Sequence, residues 1–150
     1  MNKQQLESFL LKARSKTYAA ADSKSKSILS GSVQYEYKEG DFLYRDIYYI
    51  GNGIFSGLET IYFKDAPVWS MSYFGNFSKM TEEQADEMLR KALIENWDKT
   101  RTYNLVEKDY GDFTYSCDGQ GSIDELSGTE EIHVGDDTVF FFYYAGGFIG

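Results

Sequence analysis

Gly40-Asp41-Phe42-Leu43-Tyr44 and Gly111-Asp112-Phe113-Thr114-Tyr115 stand 71 positions apart, and the offset holds well beyond them. The same shift sets Ser56-Gly57-Leu58-Glu59 against Ser127-Gly128-Thr129-Glu130, then Ile61 against Ile132 and Asp65 against Asp136. Val68, Tyr73, Gly75 and Phe77 meet Val139, Tyr144, Gly146 and Phe148. Between residues 40–77 and 111–148, 13 of 38 ungapped positions are identical. A match that keeps the interval between its blocks reads as an internal duplication, which has to be recognised before any element is assigned.

Each copy is preceded by a helical pattern. Leu6, Phe9, Leu10 and Ala13 recur at helical spacing, as do Ala85, Met88, Leu89, Ala92 and Leu93. Thr81 and Gln84 make a capping box for the second helix, with Glu82 and Glu83 placed against its positive end. Period-two alternation bounded by turn residues predicts strands over 32–38, 41–49, 58–63 and 68–74. In the second copy it predicts strands over 103–108, 112–117, 129–134 and 138–144. Tight turns between them require antiparallel pairing. The expected fold is therefore α+β, an α-β-β-β-β unit made twice. It forms one sheet or two packed sheets, with both helices covering an apolar face. A single domain of two repeats, about 1–77 and 78–150, follows. The serine- and lysine-rich stretch from Asp22 to Ser32 reads as a solvated insertion, and the acidic tract from Asp118 to Glu131 as a solvated loop.

At 150 residues the chain has the usual length of one domain. Its net charge of −9 argues against direct nucleic-acid binding, which needs a basic surface to displace phosphate counterions, and against an anionic membrane. No stretch approaches the roughly 20 apolar residues of a membrane span, and residues 1–15 lack an apolar signal core. The one cysteine, Cys117, has no partner for an intramolecular disulfide. These features point to a cytoplasmic protein. The remaining partners are an unidentified small molecule or protein, and a homodimer is compatible with the sequence.

Aromatic residues make up 17% of the chain, led by 13 Tyr and 11 Phe, a bias that favours strands and that can also line a stacking or cation-binding pocket. His133 is the only histidine; it falls on the strand face away from the apolar positions and reads as a surface residue. One Cys and one His do not make a zinc set, so no metal and no cofactor are expected. Gly51-Asn52-Gly53 is not followed by a helix and reads as a turn rather than a phosphate cradle. No catalytic constellation is recognisable.

The carboxylates that call for explanation are Glu59 and Glu130. Alternation puts Glu59 with Ile61 and Phe63, and Glu130 with Ile132 and Val134, at the start of an apolar face where an unpaired carboxylate is costly. Two readings stay open: a structural hydrogen bond capping the Ser-Gly turn behind each, or a symmetric polar pair in an aromatic pocket. Trp69, Met71 and Tyr73 share one strand face, as do Phe140, Phe142 and Tyr144. The copies diverge most between residues 45–51 and 116–122, where Asp46 is replaced by Cys117. Asp46 shares the face of Phe42 and Tyr44, opposite Arg45. Any ligand site is therefore expected in the first copy, at Tyr44, Asp46, Trp69 and Tyr73, with Glu59 and Glu130 as further ligand-binding candidates.

The runs Gly40-Asp41-Phe42-Leu43-Tyr44-Arg45-Asp46, Phe55-Ser56-Gly57-Leu58-Glu59 and Pro67 to Gly75 resemble an uncharacterised bacterial domain family of unknown function. The resemblance implies a domain found alone or C-terminal to Xre-type helix-turn-helix regulators, and it brings no activity with it. The family's closing aromatic-His-Gly-Gly run stands here as Tyr144-Ala145-Gly146-Gly147. The leading expectation is a non-enzymatic binding or sensing module for a small molecule or protein. The alternatives are an enzyme using Glu59, Glu130 and Asp46 as acid or base, and a structural domain that pairs with partners through a sheet edge.

Overall fold

The computed structural model describes residues 1–20 and 24–150, so part of the expected insertion at Asp22 to Ser32 lies outside the described residues. The chain begins with α1 (Lys3–Lys16) and a short 3-10 turn (Tyr18–Ala20). Five strands follow: β1 (Lys24–Ser25), β2 (Val33–Glu39), β3 (Phe42–Gly51), β4 (Ile54–Phe63) and β5 (Ala66–Asn76). Then come α2 (Glu82–Glu95), β6 (Leu105–Asp109), β7 (Thr114–Ser122), β8 (Glu125–Val134) and β9 (Asp137–Phe148). All nine strands join one antiparallel sheet in the order β1-β2-β3-β4-β5-β9-β8-β7-β6. Where a loop was expected, Lys24–Ser25 adds a short edge strand by pairing Lys24 with Tyr35.

The two helices start as their polar residues dictate. Thr81 Oγ1 accepts from the Gln84 amide at 3.2 Å and Gln84 Oε1 from the Thr81 amide at 3.0 Å. Asn2 and Gln5 make the same reciprocal box at α1. Leu6, Phe9, Leu10 and Ala13 of α1, with Ala85, Leu89, Ala92 and Leu93 of α2, belong to one buried cluster with Tyr44, Ile61, Trp69, Met71, Ile132 and Phe142 of the sheet. Phe9 stacks on Phe42 with ring centroids 4.8 Å apart.

The sheet's centre is the β5–β9 pair. Tyr73 and Tyr144, which align at the 71-residue offset, stand directly opposite one another there. The register shifts between Ile61 and Tyr62 in the β4–β5 pair, and between Ile132 and His133 in the β8–β9 pair, again 71 residues apart. In both places a valine, Val68 or Val139, is the extra residue of a bulge.

Six of the eight expected strands run longer than alternation predicted; β2 keeps its length, and β6 is shorter, starting at Leu105 and not at Tyr103. Ser56 and Gly57 lie within β4, not in a turn, so Glu59 is mid-strand; the reversal is made by Asn52 and Gly53 at φ 54° and 73°. That is the backbone of a two-residue hairpin turn whose twist matches the strands, and Asn-Gly is its strongest sequence signal. The acidic tract from Asp118 to Glu131 is not a solvated loop either. It forms the ends of β7 and β8, reversing between Ser122 and Glu125.

Candidate functional site

Two carboxylates on the inner face of the sheet, Glu59 and Glu130, are each gripped by an arginine and a tyrosine. Glu59, 3% exposed, takes Arg14 Nε at 3.2 and 3.1 Å on its two oxygens and Arg14 Nη2 at 2.6 Å. The Tyr44 hydroxyl donates to its Oε1 at 2.9 Å. Glu130, fully buried, takes Arg101 Nη2 at 2.8 Å and Nε at 3.2 and 3.3 Å, and accepts a hydrogen bond from the Tyr115 hydroxyl. The tyrosines align at the 71-residue offset, but the arginines do not. Arg14 rides on the last turn of α1, whereas Arg101 sits in the loop after α2 with a left-handed backbone at φ 54°. The two are tied together, since Arg14 Nη1 donates to the Arg101 carbonyl at 2.8 Å. Both glutamates are thus charge-paired and fully bonded, the condition under which burying a carboxylate is tolerable.

Asp46 completes the cluster and is held differently. It lies opposite Glu59 in the β3–β4 register, is 6% exposed, and accepts from the Tyr73 hydroxyl at 2.5 Å. Tyr73 reaches it from β5 by lying across β4 at Gly57, where a Cβ would come within 2.4 Å of the phenol oxygen. Gly57 is therefore required by the close approach of a ring, a role glycine commonly has inside a strand. No arginine or lysine bonds Asp46 among the described residues. Burial, then the neighbouring charge of Glu59, push its carboxyl up to about 7 against the opposing pull of the Tyr73 hydrogen bond. Two arginines thus face three carboxylates, leaving the cluster one negative charge in excess when Asp46 is ionised. Burial, with the adjacent carboxylates second, also raises Tyr44, Tyr73 and Tyr115 well above the usual phenol range, so all three act as donors.

The corresponding place in the second half is closed. Cys117 replaces Asp46 and is buried, its thiol pushed up by burial and by Glu130. Tyr144 crosses Gly128 as Tyr73 crosses Gly57, but donates at 2.7 Å to the Thr102 carbonyl. Gly119 stands where the first half has Tyr48. A Cβ there would be 2.0 Å from the Thr102 carbonyl oxygen, and the Gly119 amide donates to Asn104 at 2.9 Å. The Arg101–Asn104 segment plugs this end of the sheet.

In the first half the equivalent space is open. A pocket of about 50 Å³ is lined by Asp46, Tyr73, Tyr48, Phe55 and Phe140 of the sheet, with Tyr18, Ala85, Asp86 and Leu89 beside them. A smaller one of about 30 Å³ is lined by Arg14, Tyr44, Asp46, Glu59, Leu93 and Trp97. Tyr18, Asp46 and Arg101 border both. The sequence-expected residues are therefore divided: Asp46 and Tyr73 meet in the first pocket, and Tyr44, Asp46 and Glu59 in the second. Trp69 and Glu130 line neither. Trp69 is fully buried, its indole N–H donating to the Ile123 carbonyl at 3.1 Å, because the strand face it occupies is filled by core at that level. His133 is half-buried on the far side of the sheet, 2.9 Å from Glu131.

Sequence reasoning missed Arg14, Arg101, Tyr18 and Asp86. Arg14 had a signal: it continues the i, i+4 series Leu6, Leu10, so it sits on the apolar stripe, where a cation needs a buried anion. Arg101 and Tyr18 lie in irregular segments, where no periodicity reports which way a side chain turns.

Among the described residues, no group of three or more His, Cys, Asp or Glu side chains could hold a metal ion, and no helix is long and apolar enough to cross a membrane. No curated protein and no solved structure matches the chain. A family model does: it covers residues 46–149, from Asp46 through the last strand, and carries the description Domain of unknown function (DUF5680). The chain belongs to that family.

Proposed function

We propose that this protein is a non-catalytic small-molecule binding module whose ligand occupies the pocket at Asp46, and that its two halves, about 1–77 and 78–150, descend from one repeat. One observation carries the binding reading: a nearly buried carboxylate without a cationic partner borders an open pocket, while the matching position in the other half is a cysteine under a plug. A stabilising core would have replaced or paired that charge, as it does at Glu59 and Glu130. Groups held at a cost to stability are found disproportionately at functional sites. The common descent is supported by the aligned bulges and by the pairing of Tyr73 with Tyr144.

The acid–base alternative has less support. Glu59 and Glu130 are each held by an arginine and a tyrosine, and Glu130 lines neither pocket. Asp46 remains as a candidate acid or base, and the one cysteine, Cys117, is buried in the other half and offers it no nucleophile.

A thermal-shift screen against a metabolite collection tests the proposal, comparing the parent with Asp46→Asn. A ligand at one hundred times its Kd stabilises by about 2.7 kcal/mol, which for a domain of this size raises Tm by about 5 °C or more. Hits are expected to stabilise the parent and to lose most of that shift in Asp46→Asn. Hits of equal size in both proteins would place the ligand elsewhere.

A further inference from the structure

The pocket's chemistry narrows its ligand, an inference that rests on the binding reading above. Asp46 accepts one hydrogen bond, from Tyr73 to Oδ1. Among the described residues nothing donates to its other oxygen. No side-chain polar atom there is both fully buried and unpartnered, so that oxygen keeps some exposure, and Asp46 borders the larger of the two pockets. The same pocket is lined by the rings of Tyr18, Tyr48, Phe55, Tyr73 and Phe140. Further out lie two more carboxylates from the first turns of α2, Glu82 and Asp86. Asp86 accepts from the Tyr18 hydroxyl, and its ion pair with Arg90 is a loose 3.8 Å. Among the described residues, the one cation on the lining, Arg101, is already committed to Glu130. The wall is thus aromatic, its charge is negative, and its free acceptor lacks a donor.

We infer that the Asp46 pocket takes a primary alkylammonium group, which donates N–H to the free oxygen of Asp46 while its carbons lie among the aromatic rings. Three arguments converge on this class. An anion would meet three carboxylates and no free cation. A neutral apolar ligand would leave the carboxylate desolvated and unpaired, at the cost of an unmade charged hydrogen bond. A quaternary ammonium would use the rings but leave the oxygen without a donor, whereas a primary ammonium satisfies both. Size agrees: at about 10–15 Å³ per water-sized site, 50 Å³ holds about three to five heavy atoms, with the rest of a larger amine extending into the opening.

The test titrates the full chain at pH 8 with n-butylammonium, tetramethylammonium and 1-butanol, following amide chemical shifts by NMR. The expected result is saturable movement at Asp46, Tyr48, Tyr73 and Asp86 with n-butylammonium, and affinity weaker by roughly tenfold or more for 1-butanol. Tetramethylammonium should fall between them. Asp46→Asn should weaken n-butylammonium to the level of 1-butanol. The comparison of the three probes on the parent alone decides the ligand class even if the variant misfolds. If 1-butanol moves the same residues as tightly as n-butylammonium, the pocket is a ligand site but not a cation site. If n-butylammonium is silent while a screened metabolite still moves these residues, the site stands and the ligand class is wrong. If neither the probes nor any metabolite moves them, both readings fall.

Discussion

Asp46 is ordinary in sequence and exceptional in place. Its carboxyl ionises near pH 3.8 when unperturbed and is pushed up to about 7 in the folded chain, by burial first and by Glu59 second. Between those values the folded protein holds a proton that the unfolded chain has released, so stability falls as pH rises across that window and is level above it. At about 1.4 kcal/mol per unit, the effect amounts to a few kcal/mol. Asp46→Asn keeps an acceptor for Tyr73 and has no charge to bury. Urea unfolding is expected to find it more stable than the parent at pH 8, with the difference closing towards pH 4. A parent and variant whose stabilities run parallel in pH would mean that Asp46 is not the desolvated group. Glu59 differs in having a cation bonded to it, Arg14. Arg14→Gln should lose about 3–5 kcal/mol by stranding the Glu59 charge, and Arg14→Met with Glu59→Gln should recover most of that loss. Alternation was enough to put Asp46 and Glu59 on the inner face. It could not show that α1 carries a guanidinium to Glu59 and none to Asp46, because that is a matter of how elements pack.

At the scale of elements, the strands show why local reading stopped short. Glycine and serine at 56–57, 119, 121–122 and 127–128 look like turn residues and locally mark strand ends. The structure uses the glycines for clearance instead. Tyr73 and Tyr144 lie flat across Gly57 and Gly128, and a Cβ at Gly128 would come within 2.3 Å of the Tyr144 hydroxyl and 2.6 Å of the Asp118 carbonyl. Gly128→Ala should therefore destabilise by about 1–3 kcal/mol, the usual effect of overpacking. It should also release the Tyr144 hydroxyl from Thr102, which a changed near-UV circular dichroism signal would report. An alanine variant as stable as the parent would show that the ring has room to move. Helix starts were readable because a capping box is a local device. Strand lengths were not, because what crowds each glycine comes from another segment: a ring of the next strand at Gly57 and Gly128, and a backbone carbonyl, of Thr102 or Glu125, at Gly119 and Gly121.

For the whole molecule, the 71-residue match in the sequence predicts four strands in each half, which holds for the second, whereas Lys24–Ser25 gives the first a fifth; it leaves open whether the halves share one sheet. That depends on the β5–β9 seam, whose two strands are 71 residues apart and whose pairing no local signal encodes. Because the seam is central, amides of β5 and β9 should exchange only on global unfolding, and those of β1 and β6 at the edges much faster. Protection that ends separately in residues 1–77 and 78–150 would mean two independent units instead of one. Across the sheet, Arg14–Glu59–Tyr44 balances Arg101–Glu130–Tyr115, and the balance fails only where Asp46 has Cys117 as its counterpart. That carboxylate has no cation bonded to it among the described residues, and ¹³C NMR titration of the Asp46 side chain measures its ionisation directly. A midpoint near 7, moving down when n-butylammonium is present, is the predicted result. A midpoint near 4, unmoved by the amine, would mean that Asp46 is an ordinary solvated carboxylate and that the pocket has no charge to offer a ligand.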